Sequence, residues 1–188
     1  RWNMWSDTPL PPEEPAGQNP PDGAIINYYL KAKATGAVTL EIMDSKMNLV
    51  RKFTSDDKPY TVGDVNIPLY WIRPQQILSS AAGSHPFLWD MHYPALDLPP
   101  SYPISAIYAQ TAPGFTSPWV MPGNYTVKLT VNGAAYTQPL TVKLDPRVHS
   151  SAEDLMQQHD LSLACYQLRQ QILAMLLQVK SAREQIKT

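Results

Sequence analysis

A segment in the second half of the chain, residues 122–146 (PGNYTVKLTVNGAAYTQPLTVKLDP), has the pattern of a single β-hairpin. Apolar and polar residues alternate from residue 125 to residue 131 and again from residue 140 to residue 144, which gives each strand one apolar face. Between the strands, Asn132 and Gly133 both tolerate a positive φ, as a tight hairpin turn requires. The segment therefore predicts the final hairpin of an antiparallel β-sandwich.

Further strands are predicted upstream of this hairpin. Residues 38–42 and 49–53 alternate around a turn at 44–48 and form a second hairpin, while β-branched and aromatic residues favour strands at 24–33 and 104–109. Residues 85–91 (HPFLWDM) have the composition of a strand that buries Trp89. Residues 55–84 carry a weaker pattern, in which residues 60–72 allow either one short strand or an irregular segment and a short helix is expected over 75–82. The predicted fold is mainly β, an immunoglobulin- or fibronectin-III-like antiparallel sandwich of about seven strands.

The last part of the chain, residues 147–188, predicts one long α-helix. Ser150 with Glu153 three residues later has the spacing of a capping box, and Ser151 is the alternative cap. No glycine or proline follows, so we expect a helix of roughly ten turns. Its apolar residues recur at alternating spacings of four and three, which is the pattern of a heptad stripe that another surface must cover. This stripe, called the seam below, consists of Leu161, Cys165, Leu168, Ile172, Met175, Val179 and Ile186, with Ala182 in the same register.

Composition excludes several classes of function. The net charge is −1, from 15 basic and 16 acidic residues without a block of like charge. Binding to nucleic acid or to an anionic membrane through a basic patch therefore has no support. No apolar run approaches the roughly 20 residues of a membrane span. The single cysteine excludes an internal disulfide and a multi-cysteine zinc site.

Proline and charge indicate how the chain is organised. The 19 prolines cluster at 9–21 and 94–122, where they predict rigid, extended segments. We expect three parts, which are a Pro-rich N-terminal connector or arm (1–23), the sandwich (24–146) and the C-terminal helix (147–188). Only 16% of the residues are charged, which indicates that part of the surface faces another domain. The start at Arg1, without an initiator methionine or an apolar leader, predicts an excised piece of a longer protein.

No constellation of residues in the sequence carries a recognisable reaction. The four histidines are scattered without ligand spacing, and neither a GxSxG elbow nor a phosphate-binding loop is present. Asp56, Asp57 and Asp64 are candidates for a shared calcium ion, although ordinary turn residues are the simpler interpretation. Cys165 falls on the seam, where a thiol acts as a small apolar group. We therefore predict no catalytic residue, no bound metal and no cofactor.

Aromatic residues in the irregular segments allow two interpretations. Aromatic rings stack on sugars, and β-sandwiches are common scaffolds for carbohydrate binding. The simpler alternative is that these rings anchor Pro-rich loops to the sandwich or to a neighbouring domain, since a fold alone warrants no ligand. The residues concerned are Tyr70, Trp71, Tyr102, Tyr108 and Trp119.

Six segments carry a resemblance to a known family, namely residues 11–17 (PPEEPAG), 19–30 (NPPDGAIINYYL), 38–44 (VTLEIMD), 50–53 (VRKF), 87–94 (FLWDMHYP) and 122–129 (PGNYTVKL). Together they resemble the region that follows the propeller in bacterial sortilin-like (VPS10-type, BNR-repeat) proteins, often catalogued as glycosyl hydrolases. The last two segments also resemble the immunoglobulin-like domain of flagellar-hook-capping proteins. The resemblance implies the non-propeller part of a large secreted protein, with an extracellular or periplasmic location in a bacterium. It implies no catalytic residue here, because a hydrolase or peptide-binding site would lie in the propeller.

Three hypotheses for function follow. The first is a non-catalytic structural and interaction module that packs against the N-terminal propeller of its parent chain. Its helix would then form a homodimer or a helix hairpin through the seam. The second is a carbohydrate-binding accessory domain that uses the loop aromatics, and the third is a glycosyl hydrolase fragment.

Overall fold

The computed structural model describes residues 17, 21–59, 62–63, 65, 67, 69–96 and 117–187. This part of the chain is mainly β, with six strands in two antiparallel sheets and a long helix at its C-terminal end. The elements are β1 (Ala24–Leu30), β2 (Thr39–Met43), β3 (Leu49–Thr54), β4 (Gly83–Trp89), β5 (Gly123–Val131), β6 (Ala134–Val142) and α1 (Ala152–Lys187).

The two sheets contain two and four strands. β1 pairs with β4, and the larger sheet has the order β3-β2-β5-β6. Both hairpins expected from the sequence are confirmed, since β2 pairs with β3 and β5 pairs with β6. β2 also pairs with β5, which joins the two hairpins into one sheet.

The apolar faces of the two sheets form the core. Val38, Leu40, Ile42 and Trp89 are fully buried. The ring of Trp89 meets Tyr125 edge-on at 5.8 Å, and Phe53 meets Phe87 at 4.7 Å, so aromatic contacts join β4 to the larger sheet. Trp89 is buried on its strand, as the sequence predicted.

The β5–β6 turn has the expected conformation and a further contact. Asn132 and Gly133 have φ values of 49° and 81°, which a two-residue turn of this hand needs. In addition, the Asn132 side-chain oxygen accepts hydrogen bonds from the backbone N–H and the hydroxyl of Thr35, each at 2.9 Å. The hairpin tip is therefore tied to the segment between β1 and β2.

The chain enters β1 through a glycine that no other residue replaces without strain. Gly23 has a φ of 147°, and a Cβ at this position would collide with the backbone carbonyl of Trp89. The close approach of the two backbones requires the missing side chain. Gly23 thus directly precedes the first β1–β4 pair, which is Ala24 with Trp89.

Some of the expected local structure is wrong or lies outside the described residues. Residues 75–82 are not helical, because their polar backbone groups bond to other segments: Ser79 exchanges hydrogen bonds with the Tyr28 hydroxyl, and the Ser80 carbonyl accepts the N–H of Ala34. Within the described part of residues 55–84, Leu69–Trp71 form a 3-10 turn. The strand expected at 104–109 lies outside the described residues, and so does most of the N-terminal connector.

Candidate interaction surface

Helix α1 begins at a reciprocal cap. The backbone N–H of Asp154 donates to the Ser151 hydroxyl at 3.1 Å, and that hydroxyl donates to the Asp154 carboxylate at 2.7 Å. Ser151 is therefore the cap, so the Ser150–Glu153 box is wrong and the alternative is confirmed. Glu153 and Asp154 also place negative charge in the first turn, where the helix dipole stabilises it. The cap fixes where the helix starts relative to the sandwich.

One face of the helix contacts the segment that follows β4. This docking face consists of Leu155, His159, Leu163 and Tyr166, which are half-buried or buried. The Tyr166 hydroxyl donates to the Pro94 carbonyl at 2.8 Å and accepts from the Gln170 amide at 2.9 Å. The first half of α1 is therefore held on the molecule by packing together with directed hydrogen bonds.

His159 links the docking face to Tyr93. Its Nδ1 lies 3.1 Å from a carboxylate oxygen of Asp160, and its Nε2 lies 3.3 Å from the Tyr93 hydroxyl. A carboxylate oxygen only accepts, so Nδ1 carries the proton that it shares with Asp160, and in the tautomer with its proton on Nδ1 the Nε2 atom is the acceptor for the Tyr93 hydroxyl. Burial raises the pKa of Tyr93, with smaller contributions from Asp44 and Asp160, which keeps this hydroxyl protonated as a donor.

Arg51 lies beside this contact, on the inner face of the larger sheet. In the regular part of the β2–β3 register Arg51 lies opposite the fully buried Ile42, on the same face of β3 as Phe53, with its guanidinium 4.9 Å from the Phe53 ring centre. Burial lowers the pKa of Arg51, while Asp90 and Tyr166 act in the opposite direction. Burial likewise raises the pKa of Tyr166, opposed by Arg51 and by the hydrogen bond from Gln170.

A second aromatic contact lies next to the docked helix. His92 is buried, and its ring centre lies 4.0 Å from that of Trp119, whose residue is 43% exposed. The backbones pair at this point, because the N–H of Val120 donates to the Met91 carbonyl at 2.9 Å. Met91 adopts a φ of 59°, a left-handed conformation that turns the chain out of β4 into this pairing.

The five aromatic residues predicted to contact a sugar or another domain fall in different environments. Trp119 is exposed beside His92, and Trp71 is half-buried in the 3-10 turn. Tyr70 belongs to the same turn, but the structure describes only its backbone. Tyr102 and Tyr108 lie outside the described residues, so they remain predictions.

The seam lies on the side of α1 that faces away from the docking face. At about 100° per residue, the centre of the seam is roughly 150° around the helix from the centre of the docking face. Its larger side chains are exposed: Leu161, Leu168, Ile172, Met175, Val179 and Ile186. Cys165 is exposed as well. The described part of the chain therefore leaves uncovered the stripe that the sequence predicted to need a cover.

The sequence did not identify Arg51, Tyr93, His159 or Tyr166 as parts of a site. A signal for two of them was present, because residues 155, 159, 163 and 166 follow a second helical stripe at spacings of four, four and three. The longer heptad pattern of the seam obscured it. Arg51 shares the inner face of β3 with Phe53, two residues away, but a search for apolar alternation does not select a charged residue at such a position.

Neither a metal-binding cluster nor a membrane-spanning helix is found among the described residues. Within the described ranges, no three His, Cys, Asp or Glu side chains gather as a metal site would require. In the same ranges, none of the helices combines the length and apolarity of a membrane span. The exposed apolar stripe of α1 is thus the feature on which a function is best argued.

Comparison with known proteins adds no relative. The chain matches no family model, no curated protein and no solved structure. A function for this chain therefore has to be inferred from its residues and their geometry.

Proposed function

We propose that this chain is a non-catalytic interaction module whose C-terminal helix mediates assembly through the seam. One observation carries the proposal: α1 is docked by one face and exposes a continuous apolar stripe on the opposite face. Apolar side chains at heptad spacing are stabilised when another helix covers them, at about 1.5–3 kcal/mol for each fully buried large residue. The helix is therefore held on its own sandwich by the docking face, while the seam is exposed and can bind a partner.

The scaffold for this helix is, in our proposal, an immunoglobulin-type sandwich. The described sheets correspond to strands B and E facing strands C′, C, F and G, where β1 is B, β2 is C, β3 is C′, β4 is E, β5 is F and β6 is G. Tyr125 lies near the start of β5, and its hydroxyl donates back to the Met121 carbonyl at 2.6 Å. A tyrosine bonded backwards at the start of strand F is a recurrent feature of such sandwiches, which supports the assignment.

The wider expectations from the resemblance stay predictions. These are a parent protein with an N-terminal propeller, an extracellular or periplasmic location, and the glycosyl hydrolase alternative. The interaction module proposed here depends on none of them. It depends on the exposed seam alone.

The experiment that tests the proposal is the solution mass by light scattering across a dilution series. The wild type should exceed its single-chain mass of 21.1 kDa at high concentration and approach it on dilution. The variant Leu168→Asp/Met175→Asp places two carboxylates in the seam and should remain at the single-chain mass. Met156→Asp/Leu177→Asp is the matched control, since both residues are exposed on α1 outside the seam, and it should behave as the wild type.

Two results would contradict the proposal. One is a wild type that is a single chain at every concentration. The other is an assembly that the control variant disrupts as strongly as the seam variant does. Circular dichroism of all three proteins should show equal helix content, so that loss of the helix does not pass for loss of assembly.

The carbohydrate-binding alternative rests on Trp119. Its ring is supported on His92, which leaves an exposed aromatic surface of the type that stacks on sugars. Titration with a panel of soluble polysaccharides should change tryptophan fluorescence in the wild type and not in Trp119→Ala. The absence of a change for every member of the panel would exclude this use of Trp119.

A further inference from the structure

The seam has the length and spacing of a two-helix interface. It runs from Leu161 to Ile186, which is about 38 Å of helix, and its alternating spacing keeps it on one side of a supercoiled pair. Its large side chains are exposed, and the described hydrogen bonds from α1 to Tyr93 and Pro94 lie on the other side of the helix. The charges along α1 indicate which helix would pair with it.

The charges along α1 have opposite signs in its two halves. Residues 152–169 contain three acidic residues and one basic residue, whereas residues 170–187 contain three basic residues and one acidic residue. The halves therefore carry net charges of −2 and +2, with histidine neutral. In the first half the acidic residues are Glu153, Asp154 and Asp160, and the basic residue is Arg169. In the second half the basic residues are Lys180, Arg183 and Lys187, and the acidic residue is Glu184.

From this polarity we infer that the partner is a second copy of this chain, with the two helices antiparallel and their seams in contact. The inference rests on the proposed function and names its partner. In the antiparallel arrangement with the whole seams in contact, the basic half of each helix is kept away from that of its partner and lies along the partner's first half, with Lys187 level with Asp160, and the two helix dipoles oppose each other favourably. In a parallel pair, like charges would meet along both halves.

The position of the docked sandwich favours the same arrangement. The hydrogen bonds from the helix to Tyr93 and Pro94 are made by His159 and Tyr166, and the docking face as a whole lies in the first half of α1. An antiparallel pair therefore puts the two sandwiches at opposite ends of the helical rod. A parallel pair would bring them to the same end, together with the acidic turns of both helices.

The two-fold symmetry of an antiparallel pair determines which residues meet. If the two helices pair along the whole seam, the two-fold axis passes between Ile172 and Met175. The sequence numbers of any two facing residues then add up to 347. The facing layers are then Leu161 with Ile186, Cys165 with Ala182, Leu168 with Val179, and Ile172 with Met175. The small residues Cys165 and Ala182 share a layer, so each layer pairs side chains of similar size.

Cys165 makes the orientation measurable. In the antiparallel pair, the two native thiols are about 26 Å apart along the axis, whereas a thiol at position 182 lies in the same layer as the partner's Cys165. In a parallel pair the two native thiols share a layer. We therefore treat the wild type, Ala182→Cys and the neighbouring control Ser181→Cys with a short bismaleimide, at a concentration where light scattering shows assembly.

The expected result is a covalent dimer for Ala182→Cys and little cross-linking for the wild type and for Ser181→Cys. Rapid cross-linking of the wild type would show a parallel pair and overturn the inference. Assembly without cross-linking of Ala182→Cys would overturn it too. In both cases helix-mediated assembly stands, whereas a chain that never assembles contradicts the proposed function itself.

A charge variant tests the same inference without a cross-linker. Lys180→Glu/Arg183→Glu makes both halves of α1 acidic, so it removes the attraction of the antiparallel pair and replaces it with repulsion. We expect dimerisation to weaken roughly tenfold at low salt and the difference to shrink at high salt. An unchanged dimerisation constant at low salt would contradict the inference.

Discussion

The sandwich and the C-terminal helix both carry a regular apolar pattern, yet only the sandwich covers its own. Leu40 and Ile42, at alternate positions of β2, are fully buried between the sheets. Leu168, at a regular position of the seam, is 57% exposed. The comparison shows that periodicity predicts where a face lies but does not say which surface covers it.

The helix differs from the sandwich because it carries two stripes, the docking face and the seam, while the described part of the molecule covers only the docking face. The docking face occupies that surface through Leu155, Leu163 and Tyr166. A helix of 36 residues is about 54 Å long, which exceeds the width of a small domain, so its second half extends beyond the dock. The seam is therefore left for a partner, whereas the apolar faces of β2 and β4 cover each other within the sandwich.

The strongest test of this difference applies one substitution to both regions. Leu40→Ala should lower the free energy of unfolding by about 2–5 kcal/mol, because it leaves a cavity between the sheets. Leu168→Ala should change it by less than about 0.5 kcal/mol in the single chain, because the side chain is exposed. Urea unfolding at the lowest practical protein concentration measures both.

Equal losses of unfolding free energy in the two variants would contradict the difference between the sandwich and the helix. A large loss for Leu168→Ala at high dilution would mean that the seam is covered within the same molecule. A small loss for Leu40→Ala would mean that the sheets do not enclose the core described above. Circular dichroism of each folded variant serves as the control for helix content.

A smaller effect is expected from the core tyrosine at alkaline pH. Burial, with smaller contributions from Tyr93 and Asp44, raises the pKa of Tyr125 from its ordinary 10.0 to about 12. Between these values the unfolded chain releases a proton that the folded chain retains, so stability is complete below pH 10 and falls as the pH rises towards 12. This tyrosine should account for a loss of about 2 kcal/mol across the window.

The variant Tyr125→Phe isolates this contribution. It should unfold more easily at neutral pH by about 1 kcal/mol, because the hydrogen bond to the Met121 carbonyl is lost. Between pH 10 and 12 its stability should fall less steeply than that of the wild type. Tyr29→Phe, at a residue that is 70% exposed, controls for the removal of a hydroxyl. An unchanged slope in Tyr125→Phe would assign the alkaline loss to other groups.

The sequence predicted the regular parts of the sandwich because their signals are local. Strict alternation and the Asn132–Gly133 turn were sufficient for β5 and β6, and the same reasoning located β2 and β3. The short helix at 75–82 failed for the opposite reason. Its backbone bonds to Tyr28 and Ala34, more than 40 residues away in the chain, and composition carries no sign of such partners.

Of the two faces of α1, the seam could be predicted from the sequence and the docking face could not. The heptad spacing identified the seam, because that stripe repeats over several turns. The docking face is shorter and mixes Leu155 and Leu163 with His159 and Tyr166, so a search for apolar periodicity passes over it. Its partners, Tyr93 and the Pro94 carbonyl, lie in a segment with no regular pattern, and only the fold brings them together.

The smallest effect sharpens the comparison at the point where the two regions meet. Tyr166→Phe removes the hydroxyl that donates to the Pro94 carbonyl and accepts from Gln170, which should lower stability by about 1 kcal/mol. The loss should be local, so amide hydrogen exchange should accelerate in residues 152–170 while β2 and β5 keep their protection. Tyr136→Phe, at a residue that is 62% exposed on β6, should leave both regions unchanged. If exchange in the helix stays the same in Tyr166→Phe, the apolar contacts of Leu155 and Leu163 hold the helix without this bond. If exchange rises in the sandwich as well, the helix and the sandwich unfold as one unit, and the seam is then presented by the whole domain.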